Sequence, residues 1–192
     1  MRNIMKGVAS RDHSEYDSFF CCVLSHGRQG QVYGSNGEAV PIEDLISAMK
    51  PQNCPTLTGK PKMFFVQACQ GNEKQEGFRP MDAEDIDVST GRAEPKLISE
   101  DSDFLVSYST VPGYESYRSP SNGSVFIQTL VGALLKHGDR FDIHEILLAV
   151  NNSVASLDIP QPDGRVNKQS PVFVSTLRKK FFFKRPLSVP TT

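Results

Sequence analysis

The chain has 192 residues, 38% apolar and 22% charged, with a net charge of −1. That length supports one domain with a real core, and the near-neutral balance supplies no global field for nucleic acid or a membrane surface. No apolar stretch approaches the roughly 18 residues of a membrane-spanning helix, and Met1 to Gly7 lacks the apolar core of a secretory leader.

In chain order, Ile4, Met5 and Val8 mark the end of a helix. Phe19 to Leu24 is a continuous apolar run of β-favouring residues and predicts a buried strand. Gln31 to Tyr33 and Glu38 to Val40 flank a Gly-Ser-Asn-Gly turn, a small hairpin. Ile42, Leu45, Ile46 and Met49 recur at helical spacing. Lys62 to Gln67 predicts a second buried strand, and Phe104 to Ser109 a third. Between them, residues 70–103 hold ten of the 22 acidic residues, with Gly77, Pro80, Gly91 and Pro95. Such composition predicts a solvated, mobile loop, and loops this long are usually functional or disordered.

Two helices follow. Ile127, Leu130, Val131, Leu134 and Leu135 form one stripe, ended by Gly138. Asp142 suits an N-cap, with Ile143, Ile146, Leu147 and Val150 behind it. Pro171 to Leu177 predicts a strand, and Phe181 to Phe183 another. Strands alternating with helices argue for an α/β sandwich with a mainly parallel sheet.

The four cysteines, Cys21, Cys22, Cys54 and Cys69, form neither a disulfide scaffold nor a paired zinc ladder. A reducing, cytoplasmic setting is expected. Cys69 stands apart, because it follows a predicted strand in Gln67-Ala68-Cys69-Gln70-Gly71, where Gly71 permits a sharp turn. A cysteine ending an apolar strand is ordinarily a small buried hydrophobe. Here, however, His26 ends another strand, in Ser25-His26-Gly27. A thiol and an imidazole at the exits of two strands can meet at one sheet edge, the minimum equipment for thiol-based acyl transfer. Gly27 lets a peptide N–H approach a ligand, and with the Cys69 N–H it could hold an oxyanion. His13, His137 and His144 read as structural. Arg118 follows the third strand, and its planar fork beside Gln67 would suit a carboxylate.

These residues together resemble the caspase family, from about Asp12 to Phe183. The cysteine pentapeptide is a known caspase signature, with its histidine roughly 50 residues upstream; here the separation is 43 positions. Val111-Pro112-Gly113-Tyr114 leading to Tyr117-Arg118, and Gly123-Ser124 opening a helix, extend the likeness. Thr176 to Lys180 is similar to initiator caspases of the death-receptor branch. The resemblance implies a caspase-like three-layer sandwich, helices on both faces of the sheet, over one catalytic domain spanning 1–192. It implies most of a large subunit in about 1–87, an inter-subunit loop in about 70–103 and a small subunit in about 104–192.

The activity implied is cleavage after aspartate, in regulated cell death, without metal or organic cofactor. Cys69 would attack, His26 would handle the proton, and Gly27 and Cys69 would supply oxyanion donors. Gln67 and Arg118 match the aspartate pocket and Tyr117 an aromatic wall beside it. Asp87 is the first choice for processing, with Asp82 and Asp85 as alternatives. The partners implied are proteins with an aspartate before the scissile bond and a second copy paired through Val172 to Leu177. Adaptor or inhibitor proteins are further partners the family admits; nucleic acid and membrane are not expected.

The chain departs from the family pattern in three ways. The family's large subunit begins well before the position matching Met1, so a strand, a helix, a second strand and a pocket arginine are expected to be missing. No tryptophan is present, Val125 standing where one is common and Ser119 where executioners often have asparagine. No recruitment domain is visible. The first departure keeps a second expectation open, a catalytically impaired regulator that dimerises with an active partner. An α/β binding module with an accidental motif is a further rival. A metacaspase-like preference for basic residues is opposed by Gln67 and Arg118.

Overall fold

The computed structural model describes residues 1–75, 99–119 and 123–183. Its elements, in order, are α1 (Arg2–Ala9), β1 (Phe19–Leu24), β2 (Gly27–Arg28), β3 (Gln31–Tyr33), β4 (Ala39–Pro41), α2 (Ile42–Ser47), a 3-10 turn (Pro55–Leu57) and β5 (Lys62–Gln67). There follow β6 (Phe104–Tyr108), β7 (Arg118–Ser119), β8 (Gly123–Ser124), α3 (Val125–His137), α4 (Ile143–Ser156), β9 (Ile159–Pro160), β10 (Val166–Asn167) and β11 (Val172–Ser175).

The main sheet has the order β1-β5-β6-β11. β1, β5 and β6 run parallel and β11 is antiparallel to β6. Strand alternation divides the core in two. Phe64, Val66 and Ala68 face one cluster with Met5, Val32, Val40, Ile42 and Leu45, under α1, α2 and the β2–β4 sheet. Met63, Phe65 and Leu105 face the other, with Phe126, Leu130, Ile143, Leu147 and Val150 of α3 and α4. Every residue of β5 is therefore buried, as the apolar run Met63 to Val66 predicts, with Lys62 and Gln67 buried at its ends. The result is the expected α/β sandwich of three layers.

Several expectations need correction. β1 is not a buried strand but the sheet's edge, with Phe20 39% and Leu24 61% exposed. Phe19, Cys21 and Val23 pack on the first core, whereas on the opposite face Phe20 meets the rings of Phe65, Phe181 and Phe183. In α3 the inward face is Phe126 and Leu130; Val131 and Leu135 are exposed. Those two lie about 140° further round the helix, and packing against α4 selects one side of a wide apolar band. Phe181 to Phe183 do not form a strand. The Phe181 carbonyl instead accepts from Ile143 N–H at the start of α4, and Phe183 N–H donates to the Gly138 carbonyl. β11 is shorter than predicted, and the β7–β8 and β9–β10 ladders were not anticipated.

The described ends of the acidic segment are tied down. Glu73 bridges to Tyr114 and Gln75 to Lys168. Lys50 pairs with Asp101 at 2.7 Å, which holds the Lys50 ammonium above its usual pKa. Asp103 is not a solvating acid at all. It is buried, at a positive φ of 67°, and Arg178 grips its carboxylate with contacts of 2.9 and 2.6 Å. Asp82, Asp85 and Asp87 lie outside the described residues. Among the described residues, no helix is long and apolar enough to cross a membrane.

Candidate active site

The register of the parallel strands sets the site. Leu24 of β1 lies opposite Gln67 of β5, and Ser25 N–H donates to the Gln67 carbonyl at 3.1 Å. His26 and Cys69 are each two residues past that pair, so both emerge level at the carboxyl ends of adjacent strands. Open α/β sheets bind ligands at this edge. Gly27 lies hard against the cysteine loop: a Cβ there would sit 2.9 Å from the Ala68 Cβ and 3.0 Å from the Cys69 carbonyl oxygen. Any side chain would push the His26 and Cys69 loops apart.

Gly71 works differently from the sharp turn expected of it. Its φ is not in the left-handed region, but an added Cβ would fall 2.0 Å from the Gly113 carbonyl oxygen. The need is close approach of two backbones. Gln70 N–H donates to the Tyr114 carbonyl, and Gly113 N–H to the Gln70 carbonyl at 2.7 Å. The loop after β5 is thereby laced to the loop after β6, which carries Ser116. Ser116 N–H donates to the Cys69 Sγ at 3.4 Å, and the thiol faces the Ser116 carbonyl at 3.7 Å.

Gln67 is 7% exposed, and its amide is engaged at both ends. Its Nε2 donates to Ser116 Oγ at 2.7 Å, and its Oε1 accepts from Ser124 Oγ. Ser124 is also the N-cap of α3, accepting from Ile127 N–H at 3.2 Å. Ser124 pairs with Arg118 across the β7–β8 ladder. That ladder brings the arginine to the glutamine, a juxtaposition the linear order does not reveal. Arg118 is exposed, and among the described residues its guanidinium has no hydrogen-bond or ion-pair partner.

One cavity of about 750 Å³ joins these groups, with His26, Cys69, Gln67, Ser116, Arg118 and Ser124 on its wall. Tyr117 is not on that wall. Its hydroxyl accepts from Asn167 Nδ2 at 2.9 Å and faces the Glu115 carboxylate at 3.4 Å; burial pushes its phenol pKa up. Ser116 and the double role of Ser124 were missed from the sequence. A serine three positions before Ile127 was a legible cap, whereas nothing local marks Ser116.

The other three cysteines lie outside that cavity, and burial raises the pKa of the Cys22 thiol even though the residue is exposed. All four are unpaired. Cys54 is fully buried, and burial pushes the Cys21 thiol up to about 11, further from the thiolate at neutral pH. His13 and His144 are structural, bound to the Val8 carbonyl and to Ser175 Oγ. Among the described residues no cluster of His, Cys, Asp and Glu could hold a metal.

A family model described as Caspase domain matches residues 1–182. The chain belongs to the caspase family. It is 40% identical over 187 residues to Caspase-7 of Gallus gallus, covering 95% of this chain and 60% of that protein. Caspase-8 of Mus musculus is 41% identical over 194 residues, covering 95% of this chain and 38% of its own length. Caspase-3 of Bos taurus is 39% identical, covering 95% and 66%. The crystal structure of Caspase-1 from Spodoptera frugiperda superposes with a TM-score of 0.82 at 33% identity, over 98% of this chain and 71% of that one. The chain thus spans 60% and 38% of the first two relatives. Near-equal identity to Caspase-7, Caspase-8 and Caspase-3 does not single out a death-receptor branch.

Proposed function

We propose that this caspase-family chain carries the centre of an aspartate-directed cysteine endopeptidase acting in regulated cell death. The observation that carries the reading is the shared cavity, lined by a thiol, an imidazole, an amide and a guanidinium with no partner among the described residues. A peptide carbonyl enters beside Cys69. The sulfur forms a bond to the carbonyl carbon, the π pair moves to oxygen, and the thiol proton passes to His26. The N–H groups of Gly27 and Cys69 receive the oxyanion, a donor of this kind being worth about 10²–10³ in rate. Collapse breaks the C–N bond as His26 protonates the leaving amine. Water, deprotonated by His26, then hydrolyses the thioester and restores the thiol.

The aspartate side chain before the scissile bond is met by the Arg118 fork and by Gln67 Nε2, which exchanges Ser116 Oγ for a carboxylate oxygen. A site paired to a carboxylate rejects neutral analogues by as much as about 10⁴. Tyr117, which lies outside the cavity lining, is assigned a wall beside the cavity for the preceding residue. Residues of about 1–87 and 104–192 correspond to large and small subunits, with Asp87, Asp82 and Asp85 as processing positions. The exposed edge of β11 pairs two copies, and the protein works in the cytoplasm.

The test is covalent trapping. The purified chain is incubated with an aspartate-bearing electrophilic peptide and digested for mass spectrometry. Added mass at Cys69, absent with an asparagine-bearing control, is the expected outcome. A folded protein that takes up neither peptide is instead a dimerising regulator of an active partner.

A further inference from the structure

Gln169 is fully buried, yet it lies outside the cavity and carries no charge. Its side-chain Oε1 accepts from Tyr117 N–H at 2.8 Å, 52 positions away. Its Nε2 donates to the Ser109 carbonyl at 2.7 Å, 60 positions away. The amide orientation is determined by its neighbours: turned over, it would set N–H against N–H and carbonyl against carbonyl.

Both partners lead to the site. Ser109 is bound to the strand of the nucleophile, its N–H to the Val66 carbonyl at 2.9 Å and its Oγ to the Ala68 carbonyl at 3.3 Å. Tyr117 lies between Ser116, which touches Cys69 and Gln67, and Arg118. One amide therefore spans from the frame of Cys69 to the segment that would hold the substrate. The flanks brace it: Lys168 N–H donates to the Gln75 carbonyl and Val111 N–H to the Ser170 carbonyl.

We propose that Gln169 is a positioning residue, which sets the Ser116–Arg118 segment at the right distance from Cys69 for peptide binding. This rests on the proposed role of that segment in holding substrate. Without Gln169, Ser109 stays fixed to the β5 segment by its N–H and hydroxyl bonds, but its carbonyl loses the Gln169 donor and the Tyr117 N–H loses its buried acceptor. The segment loosens, and a misplacement of about 1 Å at such a site can cost on the order of 10²-fold.

The experiment compares wild type with Gln169→Met, which keeps length but makes neither bond, and Gln169→Asn, too short to span both. Three readouts are taken. The aspartate-bearing electrophilic peptide should label Cys69 at least about 10-fold less efficiently in both variants, with the loss in apparent affinity rather than in maximal rate. Iodoacetamide, which needs no peptide segment, should label Cys69 within twofold of wild type. Amide exchange at Tyr117 should be slow in wild type and faster in the variants.

Equal peptide labelling with unchanged exchange overturns the inference, as does an equal loss towards both reagents, which marks a general collapse of the site. If wild type itself takes up no peptide, the proteolytic reading fails separately and exchange at Tyr117 decides the positioning role. If neither variant folds, wild-type exchange decides, and rapid exchange at Tyr117 refutes the proposal.

Discussion

Cys69 and Gln67 sit two positions apart in one strand exit, and each is already occupied by Ser116. Gln67 is buried and each end of its amide is held by a serine hydroxyl, so it meets a ligand either by trading a partner or with the second proton of Nε2. Arg118 is different: it is exposed, unpaired among the described residues and on the cavity wall. Among the described residues nothing engages its charge, and its removal leaves no buried group there unsatisfied. Arg118→Glu should therefore lower kcat/KM for an aspartate peptide by roughly 10³-fold or more, by replacing attraction with repulsion. The melting temperature should stay put, since exposed substitutions usually move stability by under about 0.5 kcal/mol. Steady-state kinetics alongside calorimetry checks both halves. Retained cleavage would remove Arg118 from the pocket.

The helices show how local chemistry fixes an element and tertiary contact orients it. Asp142 caps α4 by accepting from Glu145 N–H at 2.9 Å, and the Glu145 carboxylate returns the bond to Asp142 N–H at 2.9 Å. The sequence offered Asp142 as the cap; the reciprocal bond from Glu145, three positions on, is a finding of the structure. Asp142→Ala should cost about 1 kcal/mol, lowering the melting temperature by roughly 2–4 °C for a chain of this size. An unchanged transition would show that Phe181, whose carbonyl takes the Ile143 N–H, holds the helix start alone. For α3 the sequence was a weaker guide. Its apolar band is wide, and only contact with α4 picked Phe126 and Leu130 over Val131 and Leu135.

Across the whole molecule the sheet has two edges, β1 and β11, and they are used differently. β11 is four residues long and antiparallel, and its Val174 is 61% exposed. An apolar residue on an unpaired edge is a template for another strand. Under the proposed pairing of two copies, Val174→Asp should shift the protein from dimer to monomer in sedimentation, because it places like charges together at the symmetric contact. A dimer that withstands this change must use another surface. β1 resembled β5 in sequence, since both carry an unbroken apolar run, but only β5 of the two has strands on both sides. Position in the sheet, not composition, separates them.

The kind of chemistry available here was written in short stretches of chain. Cys69 and His26 each follow an apolar run, β5 shows its burial in an unbroken series, and Asp142 announces its helix. Such signals survive because they depend on neighbours a few residues away, where periodicity and caps act. The rest took folding. Arg118 meets Gln67 only through the β7–β8 ladder, Gln169 reaches partners 52 and 60 positions distant, and Asp103 looked like one solvated acid among ten until Arg178 closed on it. Those outcomes depend on which surfaces pack together, and a hydrogen bond between distant segments leaves no periodic trace in either one.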